Sequence, residues 1–172
     1  MIGYKATPVS TEHIIEITQS LRKILGYNQN DRIDIIAVLE YAMPQLYKSF
    51  NYVISADSDM KVNAHAYTNM DKHEIVIRED VYERARMGKG RDRFTIAHEI
   101  GHYILHSNTN SLTRVYANET IKAYENLEWQ ANAFAGELLC PSNTLRGMEI
   151  NEIAQYYGVS IEAAKTQKKK SN

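Results

Sequence analysis

Two histidines and a glutamate lie at a spacing that can hold a metal ion and activate a water molecule. His98 and His102 are four residues apart, so on a helix their imidazoles share one face, one turn apart. Such a pair can bind one Zn²⁺ at about 2.0–2.1 Å from each ring. Glu99 lies about 100° around the helix from His98, where its carboxylate can reach a water in an open coordination position and act as general base. The segment His98–His102 therefore predicts the zinc site of a hydrolase.

The alternative interpretation is a pair of surface histidines on a helix, with Glu99 in an ordinary surface ion pair. The preceding turn, Arg93–Ala97, contains Phe94, Ile96 and Ala97. These apolar residues predict that the helix is buried on its other face, and a functional cleft needs such support. This context favours the metal site.

A catalytic zinc usually has three protein ligands, so two histidines leave one ligand to be found. Glu128 is favoured because an apolar stripe follows it on the same side of a predicted helix. Asn132, four residues later, could hydrogen-bond the free ring nitrogen of a ligating histidine. Glu125 is the rival, one turn earlier. The further candidates downstream of the pair are Glu119, Glu137 and His106.

His106 is four residues past His102, so three histidines line one helical face. His98 and His106 would be about 12 Å apart along the axis, too far to share one metal ion. We interpret His106 as a C-terminal helix residue stabilised by the helix dipole.

The N-terminal half of the chain predicts helices followed by a small sheet. An apolar stripe over residues 11–25, with Ser10 or Thr11 as N-cap and Gly26 after the end, predicts an amphipathic helix. A second helix is predicted from an Asp31 cap, kinked or divided by Pro44. Three segments rich in Val, Ile and Tyr then predict short strands, antiparallel because the connections are too short for crossover helices. They are residues 51–56, 61–68 and 73–78.

The C-terminal half predicts mostly helices, and the whole order predicts an α+β fold. Residues 107–118 are polar and predict a loop. The predicted helices are residues 80–86, 91–105, 123–139, 151–157 and 161–166. We expect one domain, with an N-terminal helical part (1–50), a catalytic core (51–142) and a small C-terminal helical segment (143–172) whose basic end, Lys165–Lys170, is a frayed tail.

Composition limits the classes of partner. The formal net charge is −1 and the chain has one cysteine, Cys140, which predicts no general attraction to nucleic acid and no internal disulfide. No apolar run approaches the roughly 20 residues that span a bilayer, and no signal peptide is evident, so we predict a cytoplasmic protein without a membrane partner. Residues 151–166 have a helix-turn-helix pattern, but the second helix offers few base-reading side chains, so DNA binding is not favoured.

Two blocks of sequence resemble the ImmA/IrrE family of metallopeptidases. The first is Arg93–His106, with the sequence RFTIAHEIGHYILH, and the second is Glu128–Pro141, with the sequence EWQANAFAGELLCP. Residues 153–164 also resemble the short C-terminal segment of the family. The similarity covers about the last 100 residues, whereas the first 50 match no family feature.

The resemblance implies a zincin-like fold and a zinc endopeptidase. Carried over by position, His98, His102 and Glu128 are zinc ligands and Glu99 is the base, while Asn132 matches a position where the family allows Asn or Asp. Members commonly cleave or antagonise a helix-turn-helix repressor encoded beside them, often on prophages or other mobile elements, or act in stress responses. The resemblance thus implies a repressor protein as the partner.

Several features stay open at the level of sequence. An oxyanion in peptide hydrolysis needs a second donor besides the metal, and the candidates are Tyr103, Tyr116 and Tyr124. A sheet edge at 61–68 or 73–78 could hold an extended peptide. The alternatives to a peptidase are a zinc-containing regulatory protein or anti-repressor without proteolysis, and a component of a toxin–antitoxin pair.

Overall fold

The computed structural model describes residues 3–56, 60, 64–107, 112–115 and 120–171. The helices are α1 Thr11–Ile24, α2 Ile35–Ala37, α3 Met43–Leu46, α4 Glu79–Arg86, α5 Gly90–His106, α6 Leu127–Leu139, α7 Ile150–Tyr157 and α8 Ile161–Lys170. The strands are β1 Gly3–Ala6, β2 Asn51–Ser55, β3 Ala66–Asn69, β4 Glu74–Arg78 and β5 Leu112–Val115. Short 3₁₀ turns at Ala123–Glu125 and Ser142–Thr144 flank α6. The predicted α+β class, with N-terminal helices, a three-stranded sheet and later helices, is confirmed.

The N-terminal helices begin and end at polar or special residues. The Ser10 side chain accepts a hydrogen bond from His13 N and caps α1, as predicted. The second helical segment is capped by Asp34, not by Asp31 as predicted. Asp31 instead accepts a hydrogen bond from Asn28 N at 2.6 Å, which closes the preceding turn. Both residues are good caps, so only the turn geometry decides between them.

Pro44 divides the second helical segment, as expected. A π-helical turn at Val38–Ala42 separates α2 from α3, and Met43 N donates to Val38 O, five residues back. Proline has no N–H to donate, and its ring crowds the carbonyl four residues earlier, so the regular ladder is displaced at this point.

The three-stranded sheet has the order β2-β4-β3. β3 and β4 are antiparallel, pairing Ala66 with Ile77, which agrees with the prediction. β2 and β4 are parallel, pairing Asn51 with Glu74, which corrects the expectation of antiparallel neighbours. The whole of β3 lies between them in the chain, and this makes their connection long enough for a parallel return.

A second sheet joins the two distant strands β1 and β5. They are antiparallel, and Gly3 pairs with Val115 and Ala6 with Leu112. β5 lies inside the segment that was predicted as a loop, and β1 was not predicted. The two strands are short and far apart in sequence, so no local pattern pairs them.

The long helix α5 lies between the three-stranded sheet and α6. Its buried residues include Ile96 and Ile100, and the core also contains Ile75 and Ile77 of β4. At Gly101 a Cβ atom would lie 2.9 Å from the Phe134 ring. The glycine therefore permits α5 and α6 to pack closely, and these two helices carry the candidate site.

The C-terminal helices pack against the core through buried polar contacts. Arg93 of α5 donates to the carbonyls of Tyr157, at 2.7 Å, and of Gly158, at the turn between α7 and α8. Gln167 of α8 donates to Glu137 Oε1 of α6 at 2.9 Å. α8 continues to Lys170, so the predicted frayed tail is instead helical. The division at residues 50 and 142 stays a prediction. No helix in the described ranges combines the length and apolar character needed to cross a membrane.

Candidate metal centre

Side chains from α5 and α6 converge on one point. His98 Nε2 and His102 Nε2 are 2.9 Å apart. The Glu128 carboxylate places Oε2 at 3.2 Å from His98 Nε2 and Oε1 at 3.3 Å from His102 Nε2. Among the described residues, His98, His102 and Glu128 are a group of side chains that could hold a metal ion, and their ligand atoms lie within 4.8 Å of one another. The Glu128 side chain is 70% exposed, so the centre opens to solvent on the α6 side.

The start of α6 determines where Glu128 lies. Asn126 Oδ1 accepts a hydrogen bond from Trp129 N at 2.9 Å and caps the helix, so Glu128 falls in the first turn, where the helix dipole favours a carboxylate. The rival Glu125 contacts Lys122 N and Lys5 instead. Of the remaining alternatives, Glu137 is buried towards the other end of α6 and Glu119 lies outside the described residues.

The His98 ring is held by Asn132. His98 Nδ1 lies 2.9 Å from Asn132 Oδ1, and an amide oxygen only accepts, so the ring donates its Nδ1–H. The lone pair of Nε2 then points to His102 and Glu128. This is the contact that the four-residue spacing from Glu128 led us to expect.

The His102 ring is held by a chain of hydrogen bonds that runs from Gln130 through His106. Gln130 Nε2 donates to Thr7 O and Tyr124 O, and its Oε1 accepts from His106 Nε2 at 2.8 Å. His106 Nδ1 is then the acceptor for His102 Nδ1–H at 3.1 Å. The chain leaves the Nε2 lone pair of His102 free for a metal ion.

This arrangement corrects the interpretation of His106. The ring is buried, and burial lowers the His106 pKa, so the residue is neutral and is not a cation at the helix end. Its four-residue spacing from His102 was visible in the sequence, but nothing in the sequence identified Gln130 as its partner.

Burial favours the neutral form of the His102 imidazole and of the Glu99 carboxyl group. Burial, with the nearby His98, lowers the pKa of His102 to about 4, so the ring keeps a free lone pair at neutral pH. Burial raises the pKa of Glu99, although the hydrogen bond from Thr68 acts in the opposite direction and lowers it. Thr68 Oγ1 lies 2.7 Å from Glu99 Oε2 and 3.0 Å from Glu99 O. Thr68 ends a predicted strand, but the strand register that brings it to Glu99 is not readable from sequence.

The three tyrosines considered as oxyanion donors are placed differently. Tyr103 is in the core, its ring 5.4 Å from that of Tyr47 and 4.9 Å from that of Phe50, and this placement does not favour contact with a substrate. Tyr124 is 40% exposed. Tyr116 lies outside the described residues.

The chemistry of the donor set fits a divalent metal ion. Two imidazole lone pairs face each other at 2.9 Å with a carboxylate beside them, and a cation between the three groups removes their mutual repulsion. Two histidines and one glutamate are a common ligand set for a catalytic zinc that keeps an open position.

The chain belongs to a metallopeptidase family, as its two sequence blocks predicted. Residues 53–167 match Peptidase_M78, described as the IrrE N-terminal-like domain, over more than half of the chain. A stretch of 74 residues is 36% identical to Metallopeptidase ImmA of Bacillus subtilis (strain 168), covering 39% of this chain and 43% of that protein.

The fold also has a relative among solved structures. A Mycobacterium tuberculosis transcriptional regulator superposes with a TM-score of 0.59 and 16% identity, over 90% of this chain and 46% of that one. At this identity the likeness shows the fold alone. The chain thus spans less than half the length of the two relatives described here.

Proposed function

We propose that the protein is a zinc-dependent endopeptidase in which His98, His102 and Glu128 hold the metal and Glu99 is the general base. The observation that carries the proposal is the convergence of two oriented Nε2 lone pairs and a carboxylate beside a second, buried carboxylate. A bound zinc ion would supply a water with a pKa of about 7 and polarise the scissile carbonyl.

Glu99 performs the proton transfers in this scheme. Its carboxylate takes a proton from the attacking water and delivers it to the leaving amine. The hydrogen bond from Thr68 holds one carboxylate oxygen of Glu99, and in this scheme the other oxygen takes the proton. Asn132 and His106 keep the two ligating rings in the required tautomer. Tyr124 and Tyr116 are the candidate oxyanion donors of this scheme.

The peptide is expected to bind beside β3. Of the two strands considered, β4 is central, whereas β3 is at the edge in the order β2-β4-β3. Thr68 of β3 contacts Glu99, so a peptide laid along this strand reaches the metal centre. Strand addition fixes an extended peptide through its main chain.

The proposed partner of the peptidase is a regulatory protein. The family resemblance supports a helix-turn-helix repressor encoded nearby, on a mobile element or in a stress response, and a cytoplasmic location. DNA binding is disfavoured because Gly90 of α5 packs against the backbone of Val159 and Ser160, where α8 begins. The alternatives are an anti-repressor or toxin–antitoxin role without proteolysis. The shielded Glu99 beside the metal ligands favours hydrolysis over both.

The experiment that tests the proposal compares three forms of the purified chain. The zinc-loaded protein, the same protein treated with 1,10-phenanthroline, and the treated protein with one equivalent of zinc restored are incubated with a mixed peptide library and, in parallel, with the product of the adjacent gene. We expect fragments from the first and third forms only, by mass spectrometry. Equal fragments from all three forms, or a zinc content far below one per chain, contradicts the proposal.

Removal of the Asn132 hydrogen bond should weaken zinc binding. We expect Asn132→Ala to raise the zinc dissociation constant about 10–100-fold because the His98 ring loses its partner. Competition with a fluorescent zinc chelator measures the constant. Asn132→Asp, which keeps the acceptor, and Asn151→Ala, exposed on α7, are the controls. An unchanged constant in Asn132→Ala would show that the bond does not orient the ring.

A further inference from the structure

A second cavity, away from the metal centre, is lined by arginine side chains. It lies between the segment that leads into α2, the end of α4 and the first turn of α5, and its volume is about 440 Å³. Pockets of roughly 300–1,000 Å³ commonly bind small molecules. Of the described residues that line the cavity, none is a candidate metal ligand. Its charged residues are Asp34, Arg32, Arg86 and Arg93, so positive charge is in excess.

Arg93 forms the buried wall of this cavity. The residue is only 3% exposed. Its guanidinium donates to three backbone carbonyls, those of Ile33 at 2.6 Å, Tyr157 at 2.7 Å and Gly158. All three acceptors are neutral, so these bonds satisfy N–H donors but do not neutralise the positive charge. A buried charge without a full counter-charge is costly, and an anion in the cavity would reduce this cost.

The Arg32 guanidinium lies beside that of Arg93. A Cβ atom at Gly158 would be 2.5 Å from Arg32 Nη2 and 2.5 Å from Arg93 Nη1, so both cationic groups adjoin one point of the α7–α8 turn. At Gly88, whose φ is +84°, a Cβ atom would lie 3.2 Å from Arg32 Nη2. The two glycines therefore leave the space that Arg32 occupies. Burial and the charge of Arg32 lower the pKa of Arg93 to about 10, while Asp34 acts in the opposite direction.

Arg32 has none of the partners that a nearby arginine of α4 has. Arg84 donates to Asp80 at 2.6 Å and to Asp92 at 2.8 Å. Within the described part of the chain, the Arg32 side chain has no hydrogen bond and no ion pair, even with the carbonyls at the ends of α4 and α7. A guanidinium has five N–H donors. Those of Arg32 are therefore open to a ligand in the cavity.

The floor of the cavity is apolar. Ile33, Ile35 and Ala85 line it and are buried, and Ile36 is half-buried. The one carboxylate, that of Asp34, is engaged at the N-cap of α2, where Oδ1 accepts from two backbone N–H groups, each at 3.1 Å. The cavity thus suits a ligand with anionic oxygens on one side and an apolar body on the other.

We propose that this cavity binds a small organic phosphate monoester, with its oxygens held by Arg32 and Arg86 in front of Arg93 and its organic part on the apolar floor. The site does not depend on the proposed peptidase activity. A guanidinium can bond two oxygens of one anion at once. A phosphate monoester carries a charge of about −1.5 to −2 and three acceptor oxygens, so it matches several guanidinium groups better than a single carboxylate does.

Three probes test this inference by isothermal titration calorimetry on the zinc-loaded full chain. Phenyl phosphate carries both parts of the proposed ligand, whereas inorganic phosphate lacks the apolar body and phenol lacks the charge. We expect one phenyl phosphate to bind per chain, about tenfold more tightly than inorganic phosphate because of the apolar floor. Phenol should not bind at the same concentrations. Acetohydroxamate, which occupies the zinc, should leave the affinity for phenyl phosphate unchanged.

Variants locate the site. Arg32→Gln should weaken phenyl phosphate binding by about tenfold or more, because a charged hydrogen-bond donor is lost. Arg86→Gln should weaken it less, since the Arg86 guanidinium already lies 3.3 Å from Glu83. Arg146→Gln is the matched control, because Arg146 is exposed and does not line the cavity. Arg32 has no bond to lose, so Arg32→Gln should keep the unfolding temperature of the ligand-free protein.

Five outcomes would overturn the proposal. Phenol that binds as tightly as phenyl phosphate identifies a general apolar pocket, and inorganic phosphate that does so leaves no place for the organic part. Binding that acetohydroxamate abolishes belongs to the metal centre. Affinity that is unchanged in both Arg32→Gln and Arg86→Gln, or no binding at millimolar phenyl phosphate, removes the site. A clear fall in the unfolding temperature of Arg32→Gln assigns Arg32 a structural role at the helix ends instead.

Discussion

Glu99→Gln is expected to lower kcat for peptide hydrolysis by about 10²–10⁴-fold, the usual contribution of a general base. Glutamine has the shape of the buried carboxylate but cannot take a proton from water. Its side-chain oxygen can still accept from Thr68, which lies 2.7 Å from Glu99 Oε2. Burial already disfavours the charged form of Glu99, so a neutral side chain should not unfold the site. Zinc content should stay at the wild-type level.

The measurement is steady-state cleavage of a fluorogenic peptide, with zinc quantified in the same samples. Glu83→Gln is the matched control because Glu83 is half-exposed on α4 and its ion pair is with Arg86. Its kcat should equal that of the wild type. A Glu99→Gln protein that keeps its zinc and more than a tenth of wild-type activity would remove Glu99 from the role of base.

Arg22→Met is expected to lower the free energy of unfolding by about 3–5 kcal/mol. Arg22 is fully buried, and its guanidinium donates to Leu138 O of α6 and to the carbonyls of Asn28, Gln29 and Asp31. Methionine fills similar space but donates nothing. The buried Leu138 carbonyl left without a donor costs about 1–3 kcal/mol, and the bonds lost at the partly buried carbonyls add to this cost. The bond to Leu138 also joins α1 to the helix that carries Glu128.

Urea denaturation of the metal-free and zinc-saturated forms measures this loss. Lys23→Met, the next residue of α1 and exposed, is the control and should change stability by less than about 0.5 kcal/mol. If Arg22→Met costs less than about 1 kcal/mol, the carbonyls must find other donors and α1 does not depend on this contact.

Residues with a strong local pattern were the ones whose structure could be predicted. The apolar period of 11–25 and the Ser10 cap predicted α1, and the spacing of His98 and His102 placed both on one face of α5. Elements that depend on distant partners could not be predicted. β1 and β5 pair across about a hundred residues. β2 pairs parallel to β4 because the chain passes through β3 before it forms β4, and the alternation of side chains within a strand does not indicate this direction.

The same distinction applies to the candidate site. Asn132 follows Glu128 by one helical turn, so its position beside the ring of a candidate ligand, His98, could be expected from spacing. The positions of Thr68 and Gln130 at the site could not be expected from spacing. Thr68 reaches Glu99 only through the packing of β3 on α5, and Gln130 holds His106 while bonded to Thr7 O in the N-terminal segment. These contacts depend on tertiary structure, whereas the shared face of the two candidate ligands on α5 follows from helix geometry alone.

The parallel pairing of β2 with β4 also imposes an order on folding. The β3–β4 hairpin closes through a short local turn, where His73 N donates to Met70 O, and hairpins form in about 1–10 μs. β2 can join β4 only by closing a longer loop that already contains this hairpin. We therefore expect β2 to dock after the hairpin, so that the strand bearing Thr68 is assembled before the sheet is complete. Mutations that weaken the β2–β4 pairing should then accelerate unfolding more than they slow folding.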